Sequence, residues 1–375
     1  MREDWKYERL LDACDVYQPA TISTKQLVEN GEFDVFGANG KIGKYSSYNH
    51  EEPEVLLTCR GATCGNINVS TPKSWINGNA MVVHPKEKNL LKNYLVYLLK
   101  TLNYTEVITG SAQPQITRLS LKNVYIPIPS LPEQERIVSL LDTQFAKIDA
   151  LKANVASQLQ AAKDLFQAAL KQLLTPQEGW EKKKLGECFI SINNGANIKQ
   201  TKGAGGIPIT RIETLSNGVF NKDRLGYANI DDASRYYKYI LKDGDLLMSH
   251  INSVEFVGRT VVFHNQLPIV IHGMNLLRLV PNTTAISDFY YYAFKTPWFR
   301  LQLEPIIHKS VNQASMNTTA LKQVNVYIPN KDTQQEIVAR LDSISEKVKA
   351  LQANYDQTIN LCNDLKQSLL KSIFA

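Results

Sequence analysis

The side chains best suited to chemistry in this sequence are cations, amides and hydroxyls, gathered with small residues in loops behind short apolar runs. Early in the chain these are Lys41, Lys44 and Tyr45, then Thr58-Cys59-Arg60-Gly61-Ala62-Thr63-Cys64-Gly65-Asn66, Lys73 near Trp75, and Gln113. Later come Lys199, Gln200, Lys202 and Arg211, then Ser249-His250-Ile251-Asn252-Ser253, Gly258-Arg259, and the stretch from Lys309 to Gln313. Arginine and lysine can fork onto guanine edges, and asparagine and glutamine onto adenine. Lysine and serine can hold phosphates. The residues expected to meet nucleic acid are therefore Lys41, Lys44, Tyr45, Arg60, Asn66, Lys73, Gln113, Lys199, Lys202, Arg211, His250, Asn252, Arg259, Lys309 and Gln313. Arg60 and His250 each stand a few residues after a Leu-Leu run, so the two are expected to be equivalent.

Motifs for bond-making chemistry are missing. Gly37-Ala38-Asn39-Gly40-Lys41-Ile42-Gly43-Lys44 has five residues between its outer glycines, and Tyr45 stands where a phosphate loop needs Ser or Thr for magnesium. It reads as a turn beside a strand. The chain has no Pro-Pro dipeptide, so the Asn/Asp-Pro-Pro-aromatic motif of amino-methyltransferases is absent, as are Gly-x-Ser-x-Gly and His-Glu-x-x-His. Six scattered histidines form no metal-ligand spacing. No catalytic residue and no metal site are expected. The five cysteines lack any Cys-x-x-Cys and read as reduced thiols, which suits a cytoplasmic protein. No apolar run of about 18 residues is present, so no membrane span is expected.

The elements that carry these loops emerge from an internal repeat. Shifted by 200 residues, the segment from Leu121 lies on the segment from Leu321, with about 20 of 55 positions identical and no gap. Gln134, Ile137, Val138, Leu141 and Asp142 match Gln334, Ile337, Val338, Leu341 and Asp342. Upstream the repeat is looser: Trp5 and Leu10 resemble Trp180 and Leu185, and Asn93 to Thr101 resembles Asp288 to Thr296. Each repeated segment continues as an amphipathic helix of about 40 residues, roughly 60 Å long, without internal Gly or Pro. Its near-heptad stripe predicts a seam through Leu141, Ile148, Leu151, Val155 and Leu165 in one helix. In the other it predicts Leu341, Val348, Leu351, Tyr355 and Leu365. Residues 1–130 and 177–330 read as mixed α/β domains with short strands, and 131–176 and 331–375 as the two long helices. The expected fold is α+β, a pseudo-twofold repeat in which the helices pair antiparallel as an intramolecular coiled coil. The formal charge of +6 is uneven. Residues 177–330 carry 17 basic and 12 acidic residues, whereas both helical segments are balanced. A polyanion partner is permitted by this distribution.

Ile128-Pro129-Ser130-Leu131-Pro132-Glu133-Gln134-Glu135-Arg136-Ile137-Val138 running into a long helix resembles the specificity subunit of type I restriction–modification systems. Its copy from Ile328, the Trp5 and Trp180 starts, and the Gly37-Ala38-Asn39-Gly40-x-x-Gly43 turn carry the same resemblance, which covers essentially the whole chain. The resemblance implies two target-recognition domains, each reading one half of a bipartite, asymmetric double-stranded DNA sequence. It implies that the helices act as a ruler and dock two methyltransferase subunits that methylate adenine N6. Restriction/translocase subunits would join that core. S-adenosylmethionine, ATP and Mg would sit on those partners, with no cofactor and no catalytic residue in this chain. Two readings compete: a coiled-coil scaffold without a DNA role, and a stand-alone DNA-modifying enzyme.

Overall fold

A computed structural model describes residues 5–110, 113–201, 205–284, 286–311 and 313–374. It divides into two compact units, Met1–Ala156 with Tyr355–Ala375, and Ser157–Asn354. The division cuts both long helices, because each half-helix carries apolar residues that complete the core of its own unit.

The first unit comprises β1 (Lys6–Arg9), α1 (Leu10–Ala13), β2 (Cys14–Tyr17), β3 (Phe33–Gly37), β4 (Gly40–Tyr45), β5 (Val55–Thr58), β6 (Ile67–Val69), β7 (Trp75–Ile76), β8 (Ala80–Pro85), α2 (Lys92–Leu99) and β9 (Tyr125–Ile128). The long helix α3 (Leu131–Leu173) begins here. An antiparallel sheet runs β2-β8-β5-β6. All four residues of β5 are buried, because the strand is covered on both faces. Val55 and Leu57 join the core that holds α2, while Leu56 faces Phe36, Ile76 and Val82 on the other side. A smaller sheet, β4-β3-β7, lies on that second side. β1 pairs antiparallel with β9, so the start of the chain is tied to the strand that leads into α3.

The second unit repeats the plan with β10 (Glu181–Lys184), β11 (Phe189–Asn194), β12 (Gln200–Thr201), β13 (Ile207–Ile209), β14 (Gly226–Ala228), β15 (Leu246–Ser249), β16 (Ile251–Asn252), β17 (Thr260–Val262) and β18 (Leu276–Pro281). After these come α4 (Ser287–Ala293), α5 (Pro297–Leu303), β19 (Ile307–Lys309), β20 (Ala314–Met316), α6 (Thr318–Lys322), β21 (Asn325–Ile328) and the long helix α7 (Lys331–Phe374). Its main sheet runs β11-β18-β15-β17, strand for strand the order of the first unit. β10 pairs with β21 as β1 does with β9. The Leu10 N–H donates to the Val124 carbonyl, and the Leu185 N–H to the Val324 carbonyl, each at 2.8 Å.

The repeated glutamines explain why the repeat is strict at the helix starts. Gln134 is fully buried. Its Oε1 accepts from the Leu91 N–H at 2.9 Å, and its Nε2 donates to the carbonyls of Asn89 at 2.8 Å and Pro129 at 2.9 Å. Gln334, also fully buried, accepts from the Ile286 N–H at 3.0 Å and donates to the carbonyls of Thr284 at 3.0 Å and Pro329 at 2.8 Å. The repeated aspartates act about two helical turns further on. The Tyr97 hydroxyl donates to Asp142, and the Tyr292 hydroxyl to Asp342 at 2.5 Å. Asn330 caps α7, its side chain accepting from the Thr333 N–H at 2.9 Å.

The two long helices run antiparallel within each unit. In the first, Lys366 Nζ lies 2.6 Å from Asp149, and Lys152 Nζ donates to Asn363 at 2.7 Å. In the second, Lys163 Nζ donates to Gln352 at 3.0 Å. Leu141, Ile148 and Leu341 are buried, and Val155, Val348, Leu351 and Tyr355 are half-buried. Leu151, Leu165 and Leu365 are not seam residues: they are 49%, 62% and 50% exposed. At 100° per residue Leu151 stands about 60° off the line through Ile148. A two-helix contact covers only a narrow stripe, so the flanking leucines face out. Phe166 takes the inward position beside Leu165, packing against Tyr292 at 6.3 Å between ring centroids. Lys366 does so beside Leu365, over the Phe145 ring at 4.9 Å.

None of the helices among the described residues is long and apolar enough to cross a membrane. Cys14, Cys59, Cys64, Cys188 and Cys362 are free thiols.

Two outcomes follow. Gln134→Leu removes the partner of the Leu91 N–H and of two carbonyls, of which the one on buried Pro129 is hardest to satisfy otherwise, and should cost about 1–3 kcal/mol in urea denaturation; a loss below about 0.5 kcal/mol would show that the clamp is dispensable. His272 is 1% exposed and its ring nitrogen Nε2 meets the Leu276 carbonyl at 2.9 Å. Burial pushes its pKa down to about 3. The folded value lies below the unfolded value near 6.5, so this contribution is complete above about pH 6.5 and is lost as pH falls towards 3. Stability should drop by about 2 kcal/mol at pH 5 from this group alone, and His272→Leu should remove that slope in denaturation at pH 7.5 and 5.0.

Candidate nucleic-acid interface

In the first unit the turn between β5 and β6 is closed by two backbone bonds, the Thr58 N–H to the Asn66 carbonyl and the Gly65 N–H to the Thr58 carbonyl, both 2.8 Å. Gly65 at φ +96° makes this reversal possible. A second hairpin lies alongside. Thr109 and Gln115 exchange backbone bonds at 2.8 Å, the Ile116 N–H donates to the Cys59 carbonyl at 3.0 Å, and the Gly61 N–H donates to the Pro114 carbonyl at 2.9 Å. These bonds set Arg60 and Gln113 on one cavity of about 460 Å³, which Gln18, Thr21 and Asn79 also line. Four separate stretches of chain thus bring hydrogen-bonding side chains to one open surface.

The second unit builds the same frame. The Ser249 N–H donates to the Arg259 carbonyl at 2.8 Å, and the Gly258 N–H to the Ser249 carbonyl at 2.7 Å, with Gly258 at φ +88°. The Met316 N–H donates to the His250 carbonyl at 2.8 Å. β16 and β19 flank β20, and the Ser310 N–H closes the exposed turn onto the Gln313 carbonyl at 2.8 Å. Gln113 and Gln313 therefore sit on matching hairpin turns, and Asn66 and Arg259 occupy matching positions at the far end of the other turn.

Arg60 and His250 are not equivalent. The carbonyls that receive the Ile116 and Met316 N–H groups belong to Cys59 and His250, so His250 matches Cys59 and Arg60 matches Ile251. One residue along an extended chain turns the side chain to the opposite face. Arg60 is accordingly exposed, whereas Cys59 and His250 are buried at 0% and 7%. His250 Nε2 lies 2.9 Å from the Asn194 side-chain nitrogen, and its Nδ1 is buried with no partner among the described residues. Burial lowers its pKa below the usual imidazole value, so the ring is held neutral.

The other predicted residues lie outside the first unit's cavity. Lys41 Nζ pairs with Asp34 at 2.7 Å, and Tyr45 packs edge-on to Trp75 at 5.3 Å, both on the sheet of β3 and β4. Lys44 is half-buried on the same strand. Lys73 is exposed at φ +49°. The glycine-rich run is the turn from β3 to β4, with Gly40 at φ +88°. Its Asn39 accepts from the Thr63 hydroxyl at 2.5 Å, which braces the β5–β6 turn. In the second unit Lys199, Lys309 and Gln313 are exposed, and Asn252 is half-buried. Arg259 lies 4.1 Å over the Phe256 ring. Arg211 Nε stands 3.4 Å from Glu213. Lys202 lies outside the described residues. Sequence reasoning missed Gln18, Asn79 and Asn194. A polar amide directly after the edge strand β2 or at the end of β11 is the signal that could have marked two of them.

The family described as "Type I restriction modification DNA specificity domain" matches residues 2–161 and 177–361. The chain is 33% identical over 199 residues to a putative type I restriction enzyme MjaX specificity subunit of Methanocaldococcus jannaschii, covering 52% of this chain and 46% of that one. It is 26% identical to the EcoKI specificity subunit of Escherichia coli, covering 77% of this chain and 66% of that one. The match thus spans about half to two thirds of these relatives. A chain solved in a study of assembly and conformational transition of the type I R-M system has the same fold. Its TM-score is 0.75 at 19% identity, over 100% of this chain and 98% of that one.

Arg60→Ala distinguishes two kinds of contact. Loss of a base contact should weaken specific binding by about 1–3 kcal/mol, mostly at one position of the target. Loss of a phosphate contact would weaken binding to all sequences alike and lower the salt slope by about one unit. Titration of labelled duplexes across a salt series separates these, and an unchanged affinity and slope would return Arg60 to ordinary solvated loop polarity.

Proposed function

The chain belongs to the type I restriction modification DNA specificity family, and from that premise we propose that it reads a bipartite, asymmetric double-stranded DNA target on behalf of partner enzymes. The observation that carries the reading is one backbone frame built twice with different side chains on it. Cys59 and His250, Asn66 and Arg259, and Arg60 and Ile251 hold matching positions. Donor and acceptor patterns that differ on equal frames select different bases. A chain with two unlike readers has no need of a palindrome, which a symmetric dimer would impose.

Chemistry is assigned to the partners. The chain supplies position, and two methyltransferase subunits supply transfer of the methyl group from S-adenosylmethionine to adenine N6. Restriction/translocase subunits with ATP and Mg complete the complex. The absence of an Asn/Asp-Pro-Pro-aromatic motif from the sequence supports a non-catalytic role. Docking surface is available on the long helices, where Leu151, Leu165, Leu361 and Leu365 are 49–62% exposed. Apolar side chains repeated on an outward helix face suit a protein partner.

The test is the methylation pattern. Co-purified with its methyltransferase subunits, the chain should direct N6-methyladenine to one bipartite motif, and alone it should transfer no methyl group. Exchanging residues 1–130 for the matching domain of another family member should change one half of that motif and leave the other. Methyl transfer by the isolated chain, or a swap that alters both halves together, would overturn the reading.

A further inference from the structure

The two reading units share a triad of positions closed by unlike chemistry. In the first unit Gln18 Nε2 donates to Cys59 Sγ at 3.1 Å, and that thiol donates to the Gly78 carbonyl at 3.4 Å. In the second unit Asn194 Nδ2 meets His250 Nε2 at 2.9 Å and donates to the Met274 carbonyl at 3.1 Å. Strand register makes these the same three places. Val16 pairs with Val83 and Ile192 with Leu279, so Gln18 and Asn194 stand two residues beyond matching strand positions. Thr58 pairs with Ala80 and Ser249 with Leu276, which matches Cys59 to His250 and Gly78 to Met274. Close approach of the chain is built in as well. A Cβ on Gly78 would come within 2.6 Å of the Pro19 carbonyl, so glycine is what lets the Gln18 segment lie against it.

Gln18 and Asn194 are both exposed, although each is held at one end by a buried residue. An exposed amide gains little for the fold from such a fixture, but a fixed amide is what an edge-reading contact requires. Gln18 lines the same cavity as Arg60 and Gln113, and Asn79 on its wall has a buried Oδ1 without a partner among the described residues. We propose that Gln18 and Asn194 are specificity-determining residues, each reading a base edge in its own half of the DNA target. This rests on the reading of both units as DNA readers.

The free atoms differ, and so do the bases they suit. One hydrogen of Gln18 Nε2 is taken by Cys59. Its other hydrogen and Oε1 remain, a donor and an acceptor side by side, which matches adenine N7 and N6. Both hydrogens of Asn194 Nδ2 are taken, by His250 and by the Met274 carbonyl. The carbonyl can only accept, which fixes the amide orientation. Asn194 therefore offers Oδ1 alone and reads an exocyclic amino group, adenine N6 or cytosine N4.

The experiment uses the full chain with its methyltransferase subunits and maps N6-methyladenine on a plasmid library of randomised sites. Gln18→Ala should lower preference at one base pair of the first half by about 5–150-fold and leave the second half intact. Asn194→Ala should do the converse. Affinity for a non-target duplex at the same salt should not change, since no phosphate contact is lost. Gln18→Glu keeps the shape but loses the free donor, and should shift the first-half preference from adenine towards cytosine, whose amino group suits an acceptor. A wild-type bipartite motif that survives all three substitutions would overturn the proposal and leave the DNA-reading function standing. A wild-type complex that methylates without any bipartite preference would overturn both.

Discussion

A single buried amide ties each long helix to its own unit, and the rest of the architecture depends on that tie. The Gln134 and Gln334 side chains each satisfy one N–H and two carbonyls in the turn before the short helix and the strand end before the long one. The two glutamines are themselves fully buried, and Pro129 and Pro329 are buried beside them, so a polar group that loses its partner there is costly. An alkyl chain of similar size would make none of these bonds. The tyrosine–aspartate bonds at Asp142 and Asp342 fix rotation about the helix axis further along. With position and rotation both held, each long helix can present one apolar stripe inward and another outward.

The same logic governs the loops that follow β5 and β15. Their backbones are closed by matching bonds in both units, from the Thr58 and Ser249 turns to the 116 and 316 amides. Backbone bonds are indifferent to side-chain identity, so the frame tolerates different residues at its tips. Buried positions at the loop bases differ too: a thiol at Cys59 and an imidazole at His250 each hold one exposed amide. The variability that distinguishes the two units therefore reaches one layer into the core, where it sets the aim of the side chain above it.

Exposure on the long helices follows from geometry. An α-helix turns 100° per residue, whereas a leucine every three or four residues drifts around the axis. Paired helices cover one narrow line of contact. Ile148 and Leu341 fall on it, and Leu165 and Leu365 fall beside it. The repeat places those two leucines at matching positions, so the outward apolar surface is duplicated along with the inward one.

The duplication, the two long helices without breakers, the short strands and the positions of Gln134, Gln334, Asp142 and Asp342 could all be read from the sequence. They depend on local periodicity and on identity between repeats, both of which are written along the chain. The tertiary structure alone decided that His250 answers to Cys59 and not to Arg60, because the match is made by hydrogen bonds to residues 116 and 316 far along the chain. It also decided that Lys41 is spent on Asp34 and that Gln18 shares a cavity with Arg60 and Gln113. Strand alternation reverses a side chain for a shift of one residue, and a cavity is assembled from segments with no fixed spacing between them. Neither constraint leaves a trace in the order of residues, so both had to come from the packing of distant strands.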